Sequence, residues 1–360
     1  MFDAGKRKEV DQFLEEAIKR DATDIHIVFG RPPMLRIGGR LISSENSKVL
    51  NQEDAKTLAL SLLTPEQEEK FWAQKEIDLS FSFKDEARFR VNIYQQLGKV
   101  SAALRLLPKQ IRTVEELNLP PVLHQFTQVS QGFFLVVGPS GHGKSTALAA
   151  MIDEINHSRQ DHIITIEDPV EYLYVQDKCI IDQREVGTDV HDFHRGLRAM
   201  FREDADVCMI GEMRDPETVS TAISAAETGH LIFSTLHTNT AAQTLDRIID
   251  VFPPHQQPQI KGQLASTLLG ILSRRLVPTV DGSLINAVEL LIANSAVRNL
   301  IRENKTHQID MVIETSSEEG MISLNRSLAD LVQRGFVSRE SAEIFSTNPA
   351  ELKMLLQKEK

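Results

Sequence analysis

The chain has 360 residues, 41% hydrophobic and 25% charged, with a mean hydropathy of −0.22; this is the make-up of a water-soluble globular protein and excludes disordered, collagen-like and fibrous classes. At about 150 residues per domain the length predicts two to three domains. A formal charge of −11 repels phosphate backbones and anionic lipid at long range, which argues against nucleic acid as a partner.

Two cysteines, Cys179 and Cys208, offer neither a disulfide framework nor a Cys-x-x-Cys zinc pair, and point to a reducing cytosol. Lys6, Arg7, Lys8, Glu15, Glu16, Lys19 and Arg20 leave no apolar stretch for a signal peptide. No run of about twenty apolar residues follows, so the protein is expected to meet a membrane only through partners.

Residues 8–19 place Val10, Phe13, Leu14, Ala17 and Ile18 at helical spacing, and 25–29 form a short β-rich run. Segments 34–37 and 41–42 flank Gly38-Gly39, a hairpin turn. Asn51 caps a helix over 51–63. Thr64-Pro65-Glu66-Gln67 then joins a capping box to a proline at the first helical position. The helix it starts carries Phe71 and Trp72, and Trp72 is expected in the core. Alternation over 77–83 and 87–94 and the run 100–107 give three further strands. A mixed α+β domain is therefore expected over 1–107, with helices on one side of a sheet. Residues 108–118 read as a linker, in which Thr113-x-x-Glu116 caps a short helix ended by Pro120-Pro121.

From 119 to 360 the pattern changes to short buried apolar runs, each ending in a polar cluster. Residues 133–137 precede Gly138-Pro139-Ser140, 163–166 precede Glu167-Asp168, 207–210 precede Gly211-Glu212, and 231–233 precede Ser234-Thr235-Leu236-His237. Such α/β alternation predicts a parallel sheet covered on both faces, with ligands bound at the carboxyl ends of its strands. All four clusters then fall at one pocket. Beyond Thr238 the pattern is mainly helical, with 312–313 as a last strand.

Gly138-Pro139-Ser140-Gly141-His142-Gly143-Lys144-Ser145 fits G-x-x-x-x-G-K-[ST] between a strand and a helix-forming stretch that opens with Thr146. In such a loop backbone N–H groups surround a phosphate, Lys144 reaches the β/γ-phosphates of ATP and Ser145 ligates Mg²⁺. Glu212, ending a buried strand of the same sheet, is the candidate to position or deprotonate an attacking water. Glu167, with Asp168 beside it, can hold the water shell of Mg²⁺, while Asp168-Pro169 equally suits a turn. His230 and His237 bracket the fourth strand. With no third ligand nearby they do not read as a zinc site; His237, at the pocket end, suits a phosphate or a carboxylate, and His230 suits a structural role as well.

Taken together these residues resemble the type IV pilus retraction ATPases. The likeness spans 138–146, 163–172, Gln183-Arg184-Glu185-Val186-Gly187, Gly211-Glu212-Met213-Arg214-Asp215, 228–253 and 296–309, with Ala22-Thr23-Asp24-Ile25-His26 and 30–41 in the first domain. The resemblance implies an N-terminal PAS-like α+β domain, a RecA-like P-loop ATPase domain with a C-terminal helical region, and a hexameric ring. ATP and Mg²⁺ are the implied cofactors. The implied activity is a motor that drives pilin subunits out of the fibre, docked on an inner-membrane platform protein at the cytoplasmic face.

By the same resemblance Glu167 matches the acidic box, Glu212 the catalytic Walker B glutamate, and His230 with His237 the histidine box. Arg88, Arg90 and Arg105 are the cations of the small domain, and at least one of Arg90 and Arg105 is expected to reach ATP. Two places depart from the family: Leu97-Gly98-Lys99 stands where a further arginine is usual, with Lys99 as the candidate substitute charge, and His142 stands where a small residue is usual. Ala296-Val297-Arg298-Asn299-Leu300-Ile301-Arg302-Glu303 resembles the retraction branch's C-terminal signature, implying a segment needed for pulling. Its spacing predicts an amphipathic helix with Val297, Leu300 and Ile301 inward and Arg298, Arg302 and Glu303 outward.

Three other readings share the ATPase core. A pilus assembly or type II secretion ATPase would bring a longer N-terminal region and a four-cysteine zinc module. A RecA-type nucleic-acid motor would share the loop and the catalytic glutamate, with Arg274-Arg275 available to line a pore. A non-hydrolysing accessory subunit would merely occupy the ring.

Overall fold

The computed structural model describes residues 4–45, 47–84, 87–108 and 110–357, with the backbone alone for 4–7. The outermost residues of the expected 1–107 and 119–360 domains, Lys109 of the expected linker, and the side chains of Lys6 and Arg7 lie outside that description. The chain is a mixed α/β fold with two sheets, divided into two compact units: Met1–Gln110 with Pro169–Leu173, and Ile111–Asp168 with Tyr174–Lys360.

In the first unit α1 (Ala4–Lys19), β1 (Asp24–Ile27), β2 (Met34–Ile37), β3 (Arg40–Ser43), α2 (Gln52–Leu60), α3 (Pro65–Gln74), β4 (Glu76–Phe83), β5 (Ala87–Gln96) and β6 (Lys99–Leu106) follow one another. The strands form an antiparallel sheet in the order β3-β2-β1-β6-β5-β4. Period-two alternation turns Phe89, Val91 and Ile93 of β5 into one core with Leu14, Leu58 and Phe71 of the helices. The expected caps form: Asn51 accepts from the Asp54 N–H, and Thr64 and Gln67 exchange bonds ahead of Pro65. Trp72 corrects the sequence reading. It is 36% exposed and donates Nε1 to Glu68, while the adjacent, fully buried Phe71 takes the core position; neighbouring helical residues point about 100° apart, so only one of the pair faces the sheet.

The second unit opens with turns at 114–118. Thr113 and Glu116 make both capping-box bonds there, but they close turns rather than the expected short helix. Then come α4 (His124–Thr127), β7 (Gly132–Val137), α5 (Lys144–Ser158), β8 (His162–Glu167), β9 (Ile180–Glu185), α6 (Phe193–Met200), β10 (Val207–Ile210), α7 (Pro216–Glu227), β11 (Leu231–Leu236), α8 (Ala241–Asp250) and α9 (Gln257–Thr267). A strand pair, β12 (Leu268–Pro278) and β13 (Leu284–Ile292), follows, and five helices end the unit: α10 (Ser295–Arg302), α11 (Ile309–Thr315), α12 (Leu324–Gln333), α13 (Arg339–Phe345) and α14 (Pro349–Gln357).

The sheet order is β13-β12-β7-β11-β10-β8-β9, parallel except for β13. Every residue of β7, β10 and β11 is buried, as a sheet covered on both faces requires. Two readings of the C-terminal third are corrected. Residues 268–278 and 284–292 are strands, not helix, and 312–313 lie inside α11. Apolar runs buried on both faces lose the period that separates strand from helix. Gly270 marks the strand: a Cβ there would lie 2.7 Å from the Leu291 carbonyl across the pair. Both cysteines are buried free thiols. Among the described residues no helix is long and apolar enough to cross a membrane.

Candidate active site

β7 lies between β12 and β11, where the winding of the sheet reverses, and its carboxyl end is the expected place for a ligand. The chain leaves Val137 and turns through Gly138 (φ 145°), Gly141 (φ 77°) and Gly143 (φ 76°) before α5 begins. Positive φ favours glycine, and at Gly138 a Cβ would come within 2.5 Å of the Arg274 carbonyl. The first N–H groups of α5 lack intrahelical acceptors and carry the positive end of the helix dipole, which suits a phosphate.

Lys144, 7% exposed, folds over this loop. Its Nζ donates to the carbonyls of Gly138 and Pro139, each at 3.0 Å, and to Nδ1 of His237 at 3.3 Å. A charged lysine only donates, so His237 accepts at Nδ1 and carries its proton on Nε2, 3.8 Å from Glu212 Oε2. The other Glu212 oxygen pairs with Arg214 at 2.6 Å. Burial, then Lys144 and Arg214, hold the His237 pKa below its ordinary value against the pull of Glu212, so the neutral ring is favoured. Ser234 Oγ donates to the Ile210 carbonyl at 2.8 Å and Thr235 Oγ1 to the Gly211 carbonyl at 2.6 Å. These bonds fix the end of β10 that presents Glu212.

Glu167, 6% exposed, ends β8 and accepts from Thr165 Oγ1 at 2.7 Å and Gln183 Nε2 at 3.3 Å. Asp168, next in the chain, is exposed. A half-buried hydroxyl at Ser145 and a buried carboxylate at Glu167 are oxygen donors of the kind that suits a hard cation such as Mg²⁺.

His142 accepts the Leu276 N–H at Nδ1, 3.0 Å away, which ties the loop to β12. Burial, then Lys144, Arg275 and Arg274, lower its pKa. A cavity of about 370 Å³ adjoins the loop, lined by Gly141, Gly143 and Thr146, by 116–118 and by the β12–β13 pair. Arg274, the pore candidate of the nucleic-acid reading, is 2% exposed and donates to the Gly143 carbonyl, and Arg275 donates to the Phe345 carbonyl.

Not every candidate joins this cluster. His230 stands at the amino end of β11, the opposite end from His237; its Nδ1 lies 3.0 Å from the Ala225 carbonyl and its ring meets Phe201 edge-on at 5.4 Å. Arg90 and Arg105 are register partners on β5 and β6 of the first unit. Arg105 Nε donates to Asp24 at 2.9 Å, Arg90 lies 4.0 Å from Glu171, and Arg88 donates to Ser82 at 3.3 Å. Lys99 Nζ sits 3.5 Å above the Phe29 ring.

Residues 295–302 form the expected helix α10 with Val297 and Ile301 fully buried. Arg298 corrects the outward assignment: it donates to the carbonyls of Ala293, of Ala265 and Ser266 in the last turn of α9, and of Leu268 where β12 begins. Thr165, Gln183, Arg214 and Thr235 contact the site's side chains or strand ends, a part that the sequence alone does not assign them. The signal for Thr165 and Thr235 was a hydroxyl inside a fully buried apolar run.

A phosphate loop at the switch point of a largely parallel sheet, with a glutamate and a histidine at the neighbouring strand ends, defines the nucleotide-site class of α/β protein. The chain belongs to the family described as type II/IV secretion system protein, whose profile matches residues 3–320. It is 40% identical over 334 residues to the type IV pilus retraction ATPase PilT of Pseudomonas aeruginosa, covering 93% of this chain and 97% of that one. It is 41% identical over 311 residues to a twitching motility protein of Neisseria gonorrhoeae, covering 86% and 83%. Its fold matches the crystal structure of the pilus retraction motor PilT with bound ADP at a TM-score of 0.89 and 44% identity, covering 96% and 98%. The type II secretion proteins of the family are more distant relatives.

Proposed function

We infer that the protein is an ATPase that powers retraction of a type IV pilus. The observation that carries this is the meeting of Lys144, His237 and Glu212 at the carboxyl ends of neighbouring strands, beside the glycine loop, in a chain alike over nearly its whole length to retraction ATPases. The proposed chemistry is in-line attack of water on the γ-phosphate. Residues 138–146 seat the phosphates, Lys144 leaves the loop carbonyls for the β/γ-oxygens, and Glu212 positions the water. His237 links the lysine to Glu212. Ser145, and Glu167 through water, would hold Mg²⁺, which neutralises charge on the phosphates. The 370 Å³ cavity is a fitting place for the nucleoside.

The reading further takes the first unit as a PAS-like domain and the second as a RecA-like domain. Six chains would form a ring, in which Arg90 or Arg105 of a neighbouring subunit completes the site. An arginine so placed contributes roughly 10³ to 10⁵ in rate. The ring would act on an inner-membrane platform protein from the cytoplasmic face, and on pilin through it.

The test is phosphate release by the purified protein with MgATP, measured beside oligomer mass. Turnover that vanishes in Glu212→Gln while ATP binding persists supports the reading. Phosphate release that is unchanged in that variant ends it.

A further inference from the structure

Beneath the phosphate loop, buried polar contacts run in a line. β12 pairs with β7 as far as Ser273 opposite Val137, so the next residue, Arg274, enters directly under the turn. It donates one guanidinium nitrogen to the Gly143 carbonyl and another to Asn286 Oδ1 at 2.5 Å. Asn286, 8% exposed on β13, donates Nδ2 to the Leu117 carbonyl at 2.7 Å. The partners fix the amide orientation: arginine can only donate, so Oδ1 accepts, and a carbonyl can only accept, so Nδ2 donates.

Both ends of this line are backbone carbonyls, one in the phosphate loop and one in the segment before α4. Those two segments are walls of the cavity described above, and Arg274 and Asn286 line it between them. Burying a guanidinium costs free energy unless its donors are met, so the arrangement holds the walls in one relation.

We propose that Arg274 and Asn286 are positioning residues for nucleotide binding, setting the spacing between the phosphate loop and residues 116–118 and so shaping the nucleoside end of the site. The proposal rests on the reading of the loop as a nucleotide site. Preformed walls spare the ligand the cost of ordering them. The two residues have separable effects. Arg274 touches the loop itself, whereas Asn286 reaches only Arg274 and the far wall. Loss of the Asn286 side chain therefore removes one tie on the 116–118 wall, whose Leu117 is also packed in the core and whose Asn118 also accepts from Arg334, and leaves the Arg274 bond to Gly143 in place.

The test is calorimetric titration of the full chain with ADP and, separately, with inorganic pyrophosphate, which needs the loop but not the nucleoside wall. Asn286→Ala is expected to weaken ADP about tenfold and to keep pyrophosphate affinity within twofold. Asn286→Asp retains an acceptor for Arg274 but loses the donor to Leu117, and is expected to give the same split. Pyrophosphate affinity in each variant reports that the loop is folded, and Lys144→Ala, expected to lose both ligands, reports that they share it. ADP affinity unchanged in both variants, or both ligands weakened together in both, overturns the proposal. Wild-type protein that binds neither ligand instead overturns the nucleotide reading on which it stands.

Discussion

The two ends of β11 each carry a histidine, and the sheet gives them different surroundings. His230, at the amino end, faces the Ala225 carbonyl and the edge of Phe201. His237, at the carboxyl end, lies between Lys144 and Glu212 and is held neutral by burial and nearby cations. Residue type is constant across the pair; what differs is which end of a parallel strand each occupies, and only one end faces the glycine loop.

The largest expected effects fall at that end. Lys144→Ala should abolish nucleotide binding, read by titration. Glu212→Gln should lower kcat by roughly 10²- to 10⁴-fold, read by phosphate release. A loss below tenfold for Glu212→Gln would break the contrast between strand ends.

Glu289 extends the comparison to stability. This buried carboxyl accepts the Ala241 N–H at 2.7 Å where α8 starts, shortly after His237. Burial pushes it from 4.5 up to about 7. Its folded pKa is raised, so its contribution is full below about pH 4.5 and is lost as pH climbs through 7. Glu289→Gln keeps the acceptor and should stabilise the fold at pH 8 by on the order of 3 kcal/mol, with little gain at pH 4.5. Urea unfolding at the two pH values checks this.

A matched pair of substitutions sharpens the contrast directly. His237→Asn should lower kcat about tenfold with an unmoved melting temperature. It should also remove an acid limb: the folded pKa is depressed, so the neutral ring is present above about 6.5 and is lost as pH falls through the lower folded value. His230→Asn should do the reverse, costing up to about 1 kcal/mol of stability with kcat and KM unchanged. The smallest effect is expected in the first unit: Trp72→Ala, on an exposed helix face, should cost less than about 1 kcal/mol in thermal unfolding.

Much of this was legible in the chain. The phosphate loop could be read because glycine spacing and a following helix have a backbone cause, and Thr64 could be read because a capping box is a local device. Strand ends at Glu167, Glu212 and His237 were readable as polar breaks after apolar runs. The β12–β13 pair was not, since buried on both faces it shows no alternation. Nor were the inward turns of Arg298 and Arg274, most of whose acceptors, backbone carbonyls and the Asn286 amide oxygen, lie on segments remote in sequence. Trp72 and Phe71 are adjacent apolar residues about 100° apart on the helix, and apolarity alone does not say which of the two faces the core.

The five residues Pro169–Leu173 group with Met1–Gln110 although they follow directly on Asp168 of the larger unit, and Glu171 among them lies 4.0 Å from Arg90. Severing the backbone near residue 110 would therefore leave on the larger fragment five residues that group with the smaller unit. A truncated 111–360 fragment would carry an orphaned peptide, and grafting the small unit onto another ATPase would require transplanting that pentapeptide as well.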